Sequence, residues 1–379
     1  MATSVKRKKS TAKQGKMDIT FFSLVLILLT IGLVMLFSAS YAYSYEYYGN
    51  SYKFISRQAL FAAVGVVVML VISKIDYHIL KKFAWVIFIV VMGMLALLLI
   101  LPPMVSGMDV KRWIAIGPIT FQPSELAKFA VVLLFASLIS ANYKQMREIK
   151  FIGLLVIILG ISCVLIALEP HLSATILVFC LGIVLLVVGG LSKKLIFGGV
   201  ALGVGGVAAI ILSGAIGYAS DRITYWRDPW LDPSGNGFQT IQSLLAIGSG
   251  GILGRGIGQS RQKYLWVPEP HNDFIFSIVC EELGLIGAMV IIILFCLLVW
   301  RGFTIAMRSP DKFGSLLAIG LTFQVGLQAM LNIWVVTNTI PNTGISLPFF
   351  SYGGTSLLIL LAQMGIVLSI SRSANVEKT

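Results

Sequence analysis

The chain has 379 residues, 57% of them hydrophobic and 12% charged, with a mean hydropathy of +0.91. Soluble globular proteins carry roughly 25% charged residues, so this composition leaves too little polar surface for a water-facing fold and points to lipid as the solvent. The net charge of +13 does not mark a nucleic-acid binder, because the basic residues gather in a short tail and in loops between apolar runs.

A hydrocarbon core of ~30 Å is crossed by ~20 residues of helix. The apolar runs reach that length without the alternation of a barrel strand, so the expected fold is all-α: a polytopic integral membrane protein of about ten spans. In chain order, residues 1–17 form a basic tail with Lys6, Arg7, Lys8, Lys9, Lys13 and Lys16, suited to anionic lipid headgroups. The run that follows is too long for a signal peptide, and no small-residue cleavage site stands out. Spans are expected at 19–37, 59–72, 83–101, 124–139, 151–168, 173–188, 195–212, 274–300, 313–336 and 351–370, within one transmembrane domain over 18–371, followed by a short tail at 372–379. With ten spans the termini share a side. Of the 29 basic residues, 19 fall on that side and 9 opposite, which predicts that both termini are cytoplasmic.

Two loops then face outward, 102–123 and the long 213–272 between the seventh and eighth spans. The long one holds Tyr225, Trp226, Trp230, Tyr264 and Trp266, residues that suit a membrane interface, so it is expected to fold against the bilayer. No internal repeat supports an inverted-repeat transporter, and the Gly199 and Gly203 pair in the seventh span reads as close helix packing. Cys163, Cys180, Cys280 and Cys296 lie in or beside apolar runs and form no CxxC pair. They read as small core residues, with neither disulfide nor metal assigned. His78, His171 and His271 have no metal-ligand spacing.

Charge inside a span costs several kcal/mol unless it is paired or useful. Glu125 and Lys128 stand three apart on one helical face behind Pro123-Ser124, a start that suits a first helical turn. They read equally as a structural ion pair or as a substrate contact. Asp273 ends the long loop at the threshold of the eighth span. Spacing alone favours a helix N-cap there, against a general base that is partly desolvated yet reachable. Glu281 and Glu282 read as packing or a polar bundle interior. The outward cations Lys111, Arg112, Arg222, Arg227, Arg255, Arg261 and Lys263 suggest an anionic partner such as a lipid phosphate. The glycine-rich 248–258 lacks the GK[ST] ending of a nucleotide loop and reads as tight re-entrant turns.

Five stretches in order resemble the SEDS family of bacterial shape, elongation, division and sporulation proteins. They are Arg112-Trp113 with Phe121-Gln122-Pro123-Ser124-Glu125 and Lys128; Asp232-Pro233 with Gly237-Phe238-Gln239 and Gln242-Ser243; Gly256-Ile257-Gly258-Gln259-Ser260-Arg261-Gln262-Lys263; Pro268-Glu269-Pro270-His271-Asn272-Asp273 with Glu281-Glu282; and Pro341-Asn342-Thr343-Gly344 through Ser351-Tyr352-Gly353-Gly354. The third and fifth are closer to the division and sporulation branch than to the elongation branch. One departure stands at Glu169-Pro170-His171, where many members have Gln-Pro-Asp, and it puts an acid role at His171 in doubt.

The resemblance implies a peptidoglycan glycosyltransferase that polymerises lipid II at the outer face of the bacterial cytoplasmic membrane, with Asp273 as the essential acid. Arg112, Trp113, Gln122, Glu125, Lys128, Arg222, Gln239, Gln242, Arg261, Lys263, Glu269 and Ser351 are its implied substrate-binding or supporting residues. Implied partners are lipid II, the lipid-linked glycan strand, a class B penicillin-binding protein and other division or sporulation membrane proteins, without nucleic acid. An alkali-metal or divalent ion could assist, though no cofactor site is readable in the sequence. A lipid II flippase and a non-catalytic scaffold that recruits a transpeptidase are the competing readings.

Overall fold

The computed structural model describes residues 15–102, 112–117, 119–169, 171–191 and 217–374, with 195, 198 and 199. Its helices are α1 (Ile19–Tyr48), α2 (Lys53–Ile72), α3 (His78–Ile100), α4 (Pro123–Ala141), α5 (Ile149–Leu168), α6 (Leu172–Val188), α7 (Gly217–Arg227), α8 (Phe238–Gly250), α9 (Ile275–Met307), α10 (Lys312–Val336) and α11 (Gly354–Ser373). Eight of these are long and apolar enough to cross a membrane, and α6 is a shorter apolar helix of 17 residues. Each corresponds to an expected span. The seventh expected span, with its Gly199 and Gly203 spacing, and Lys111 fall largely or wholly outside the described residues.

Apolar sequence becomes a bundle here by two kinds of burial. On α2, Leu60, Val64, Val67 and Val71 recur at four- and three-residue steps and stay exposed, as a lipid-facing stripe should. On α4, every residue from Ala130 to Ala136 is buried, because α3, α5, α6, α10 and α11 surround it. The polar side chains of the central helices (Lys128, Gln324, Gln328, Asn332, Gln363) are likewise buried in protein, which spares them the cost of facing lipid.

Both ends of the described chain meet at one end of the bundle. Gly15 N donates to Arg372 O at 2.9 Å. Asp18 caps α1 through the Phe21 amide and pairs with Arg301 at 2.8 Å.

The opposite end departs from the sequence expectation. The stretch expected as one long loop over 213–272 contains α7 and α8, with a 3-10 turn at Pro229–Leu231 between them. The earlier loop ends in a small antiparallel hairpin, β1 (Ile114–Ile116) with β2 (Ile119–Phe121), which leads directly into α4. The eighth expected span is broken: Gly284 inside α9 has φ 66° and ψ −169°. Its neighbours Leu285 and Ile286 donate to Gly251 O and Ile252 O, while Arg255 and Gly256 donate to Glu281 O and Glu282 O. The glycine-rich turns thus fill the break and satisfy backbone groups that lipid could not. Of the stretch expected to form tight re-entrant turns, 248–250 end α8 and 251–258 form the turns.

Candidate active site

At the end away from the chain termini the bundle opens into a cavity of about 560 Å³. Its wall is built from Arg57 on α2, Arg112-Trp113 ahead of the hairpin, Gln122, Glu125 and Lys128 around the start of α4, and His171 ahead of α6. Glu269, Asn272 and Asp273 ahead of α9, Gln324 and Gln328 on α10, and the segment 344–357 complete it.

Asp273 is held through its backbone. Asn332, fully buried on α10, donates its amide to Asp273 O at 2.7 Å and to Ile345 O at 2.6 Å. Ser351 Oγ donates to Asn272 O at 2.8 Å, and Tyr352 N donates to His271 O at 2.8 Å. Three consecutive carbonyls are thereby fixed, and Gln58 in turn holds Ser351 O and Gly353 N. The N-cap reading of Asp273 is corrected. Phe274 occupies that position in α9, with no side-chain cap bond among the described residues. The carboxylate instead lines the cavity. Gly344, at φ 69°, would bring a Cβ to 3.2 Å from Asp273 Oδ2, so glycine is what allows this loop to pass so near the acid. Burial pushes the Asp273 carboxyl up to about 6, helped by the Glu269 charge and opposed by Arg112 and Arg222. An acid tuned there is ionised at neutral pH yet close to it in proton affinity, which suits a general base.

Deeper in the cavity, Lys128 Nζ donates to Glu125 Oε1 at 2.7 Å and to Gln328 Oε1 at 3.0 Å. Gln328 Nε2 continues to Ser346. The predicted pair is therefore an ion pair and part of the cavity wall at once. His171 Nδ1 lies 3.1 Å from Gln122 Nε2 and 3.2 Å from Ser124 Oγ. Burial, then Arg112, Lys128 and Arg222, hold it down at about 3, so the ring is neutral near pH 7 and serves as a polar wall. Arg112 Nε donates to Glu169 O at 3.0 Å, and burial raises the Glu169 carboxyl to about 8.

The cavity thus gathers Arg112, Trp113, Gln122, Glu125, Lys128, Glu269, Asp273 and Ser351 from the sequence-derived candidates. Arg222 is seated beside it, donating to Asn342 O, and Gln239 accepts from Asn342 Nδ2 at 3.1 Å. Gln242 is buried on α8, and Arg261, an exposed residue, uses its amide to hold Glu281. Lys263, read in the sequence as an anion-binding cation, is 3% exposed and paired with Glu282 at 2.9 Å, with Ser38 of α1 bonded to both. Glu281 meanwhile gathers Ser260 and the amides of Arg261 and Gln262. These charges staple the long connection to the broken helix. Arg57 and the amides Gln324, Gln328, Asn332 and Gln363 were not singled out in the sequence. The four-residue spacing of Gln324, Gln328 and Asn332 within an apolar run was the available signal. Among the described residues no three His, Cys, Asp or Glu side chains form a metal-ligand set.

Fold and cavity define a multi-pass membrane protein with a tuned carboxylate and several cations at one end of the bundle. The family model described as "Cell cycle protein", that of FtsW, RodA and SpoVE, matches residues 19–376, and the chain belongs to this family. Stage V sporulation protein E of Bacillus subtilis (strain 168) is 39% identical over 365 residues, covering 96% of this chain and 99% of that one. A probable peptidoglycan glycosyltransferase FtsW of Geobacter sp. (strain M18) is 36% identical over 358 residues, covering 93% and 96%. Among solved structures, a chain from work on "Structural coordination of polymerization and crosslinking by a peptidoglycan synthase complex" superposes with a TM-score of 0.78 at 28% identity, covering 94% and 98%. The rod shape determining protein RodA of Thermus thermophilus gives a TM-score of 0.69 at 25% identity, covering 95% and 98%.

Proposed function

We propose that this chain polymerises lipid II into glycan strands, with the cavity at the extracytoplasmic end and both termini in the cytoplasm, in division or sporulation. The observation that carries the reading is the Asp273 carboxylate, raised to about 6 and fixed by its backbone in a cavity it shares with Arg57, Arg112 and Lys128.

The 4-hydroxyl of an incoming lipid II attacks the anomeric carbon of the sugar that joins the growing strand to its lipid pyrophosphate. Asp273 takes the hydroxyl proton as the new C–O bond forms. The old bond to pyrophosphate breaks, and its electron pair leaves with the phosphate. Arginines at the cavity wall meet the charge that develops there, as preorganised donors in a partly desolvated site. A class B penicillin-binding protein is the partner that would crosslink the product.

Polar lining that reaches Gln324, two turns below Asn332, is the feature a flippase would share. Below it, Leu317 and Leu321 are fully buried, and Gly320 packs against Val132 and Leu185. This apolar packing below the cavity favours the enzyme over the flippase. The test is polymerisation of purified lipid II by the purified protein in detergent, alone and with a class B penicillin-binding protein. Strands in either mixture, absent from the partner alone, support the reading; none in both would overturn it.

A further inference from the structure

The end of α1 that rises over the cavity carries a second surface. The helix has 30 residues, ~45 Å at 1.5 Å per residue, against a hydrocarbon core of ~30 Å. Its apolar stretch begins beside the Asp18–Arg301 pair and ends at Phe37. Directly after it, Ser38 binds Glu282 and Lys263, a polar cluster buried in the protein. The last eleven residues of α1 rise ~16 Å further, past a headgroup layer of roughly 5–8 Å per side.

Five of residues 41–48 are tyrosine. An interfacial belt would hold them at headgroup level, whereas by that length Tyr47 and Tyr48 fall beyond it, and they are exposed by 62% and 50%. They continue a row of rings that starts in the cavity wall. Tyr352 lies 4.8 Å from Phe54, Phe54 4.2 Å from His271, His271 4.9 Å from Tyr43, and Tyr43 4.4 Å from Tyr47, centroid to centroid. Tyr48 flanks the row at 5.8 Å from Phe54. His271 is two residues from Asp273, so the row begins beside the proposed base.

Phe54 and His271 are buried, so a ligand meets Tyr352, Tyr43, Tyr47 and Tyr48, and one that suits them has flat apolar faces and a polar rim. Pyranose rings have both: C–H groups that lie against an aromatic face, and hydroxyls that meet the phenol O–H. Resting on the glycosyltransferase reading, we propose that this tyrosine row is a binding track for the glycan strand leaving the cavity.

The test uses the full chain in detergent with chitohexaose, a soluble N-acetylglucosamine oligomer without pyrophosphate, as the probe. Binding read by saturation-transfer NMR should be at least tenfold weaker in Tyr47→Ala/Tyr48→Ala and largely kept in the matching double Phe variant. In the polymerisation assay the Ala variant should start within twofold of the parent rate yet make shorter strands. Absence of chitohexaose binding to the parent, or equal binding by the Ala variant, would overturn the track. A protein that never polymerises but loses the oligomer in the Ala variant would sink the enzyme reading and leave the track standing.

Discussion

Removing the Lys128 charge while keeping its stem, as in Lys128→Met, isolates what the buried ion pair contributes. Lys128 is 1% exposed and Glu125 16%, with Gln328 as the second partner at 3.0 Å. Breaking a fully buried pair by removing one partner costs about 3–5 kcal/mol. Glu125 retains some contact with the cavity, which lowers the expectation to about 2–3 kcal/mol. In a thermal melt in detergent that corresponds to a fall in midpoint of about 3–4 °C for a chain of this length. The cost comes mainly from stranding Glu125, so Lys128→Met/Glu125→Gln should recover about 2 kcal/mol relative to additive singles. A double variant that loses the sum of the single losses, or a Lys128→Met midpoint equal to the parent's, would refute this reasoning.

Three further outcomes follow from the geometry. Initial polymerisation rate should rise with pH through about 6, because Asp273 accepts a proton only when ionised. Glu269→Gln should move that limb to lower pH by removing a like charge, and an upward shift would contradict the assignment. Gly284→Ala should destabilise by about 2–4 kcal/mol, read as a lower unfolding midpoint, since a non-glycine residue is strained at φ 66° and its Cβ would collide with Gly254 N and Ile252 O. For topology, a single cysteine at Ser234 in a cysteine-free background should label from outside intact cells; labelling only after permeabilisation would reverse the proposed orientation.

The spans were legible because lipid-facing helices must be apolar along their whole length, so α3 and α5 stand out as uninterrupted runs. Helix ends were not, because hydropathy stops where lipid stops while hydrogen bonding continues. The apolar signal of α1 ends at Phe37, yet the helix continues to Tyr48. The break at Gly284 left no mark, since glycine also packs inside straight helices and its φ is set by a partner segment some thirty residues earlier. Glu125 and Lys128 were legible because charge in an apolar run demands a reason, whereas for Asp273 spacing alone favoured a helix cap and its role as an acid came from the family resemblance. Arg57 was missed as one more loop-side cation. Lys263 sits among other outer-loop cations in the sequence, and only the fold reveals its pairing with Glu282.

The most direct test of the account is the rate of glycan-strand formation from lipid II by Asp273→Asn in detergent, where no transbilayer movement is required. Asn preserves size, and residue 273 is held through its backbone carbonyl by Asn332, so folding and partner binding should match the parent. Loss of the base should slow the reaction by roughly 10²–10⁴-fold. Strand synthesis by Asp273→Asn at the parent rate would contradict the assignment of Asp273 as the base.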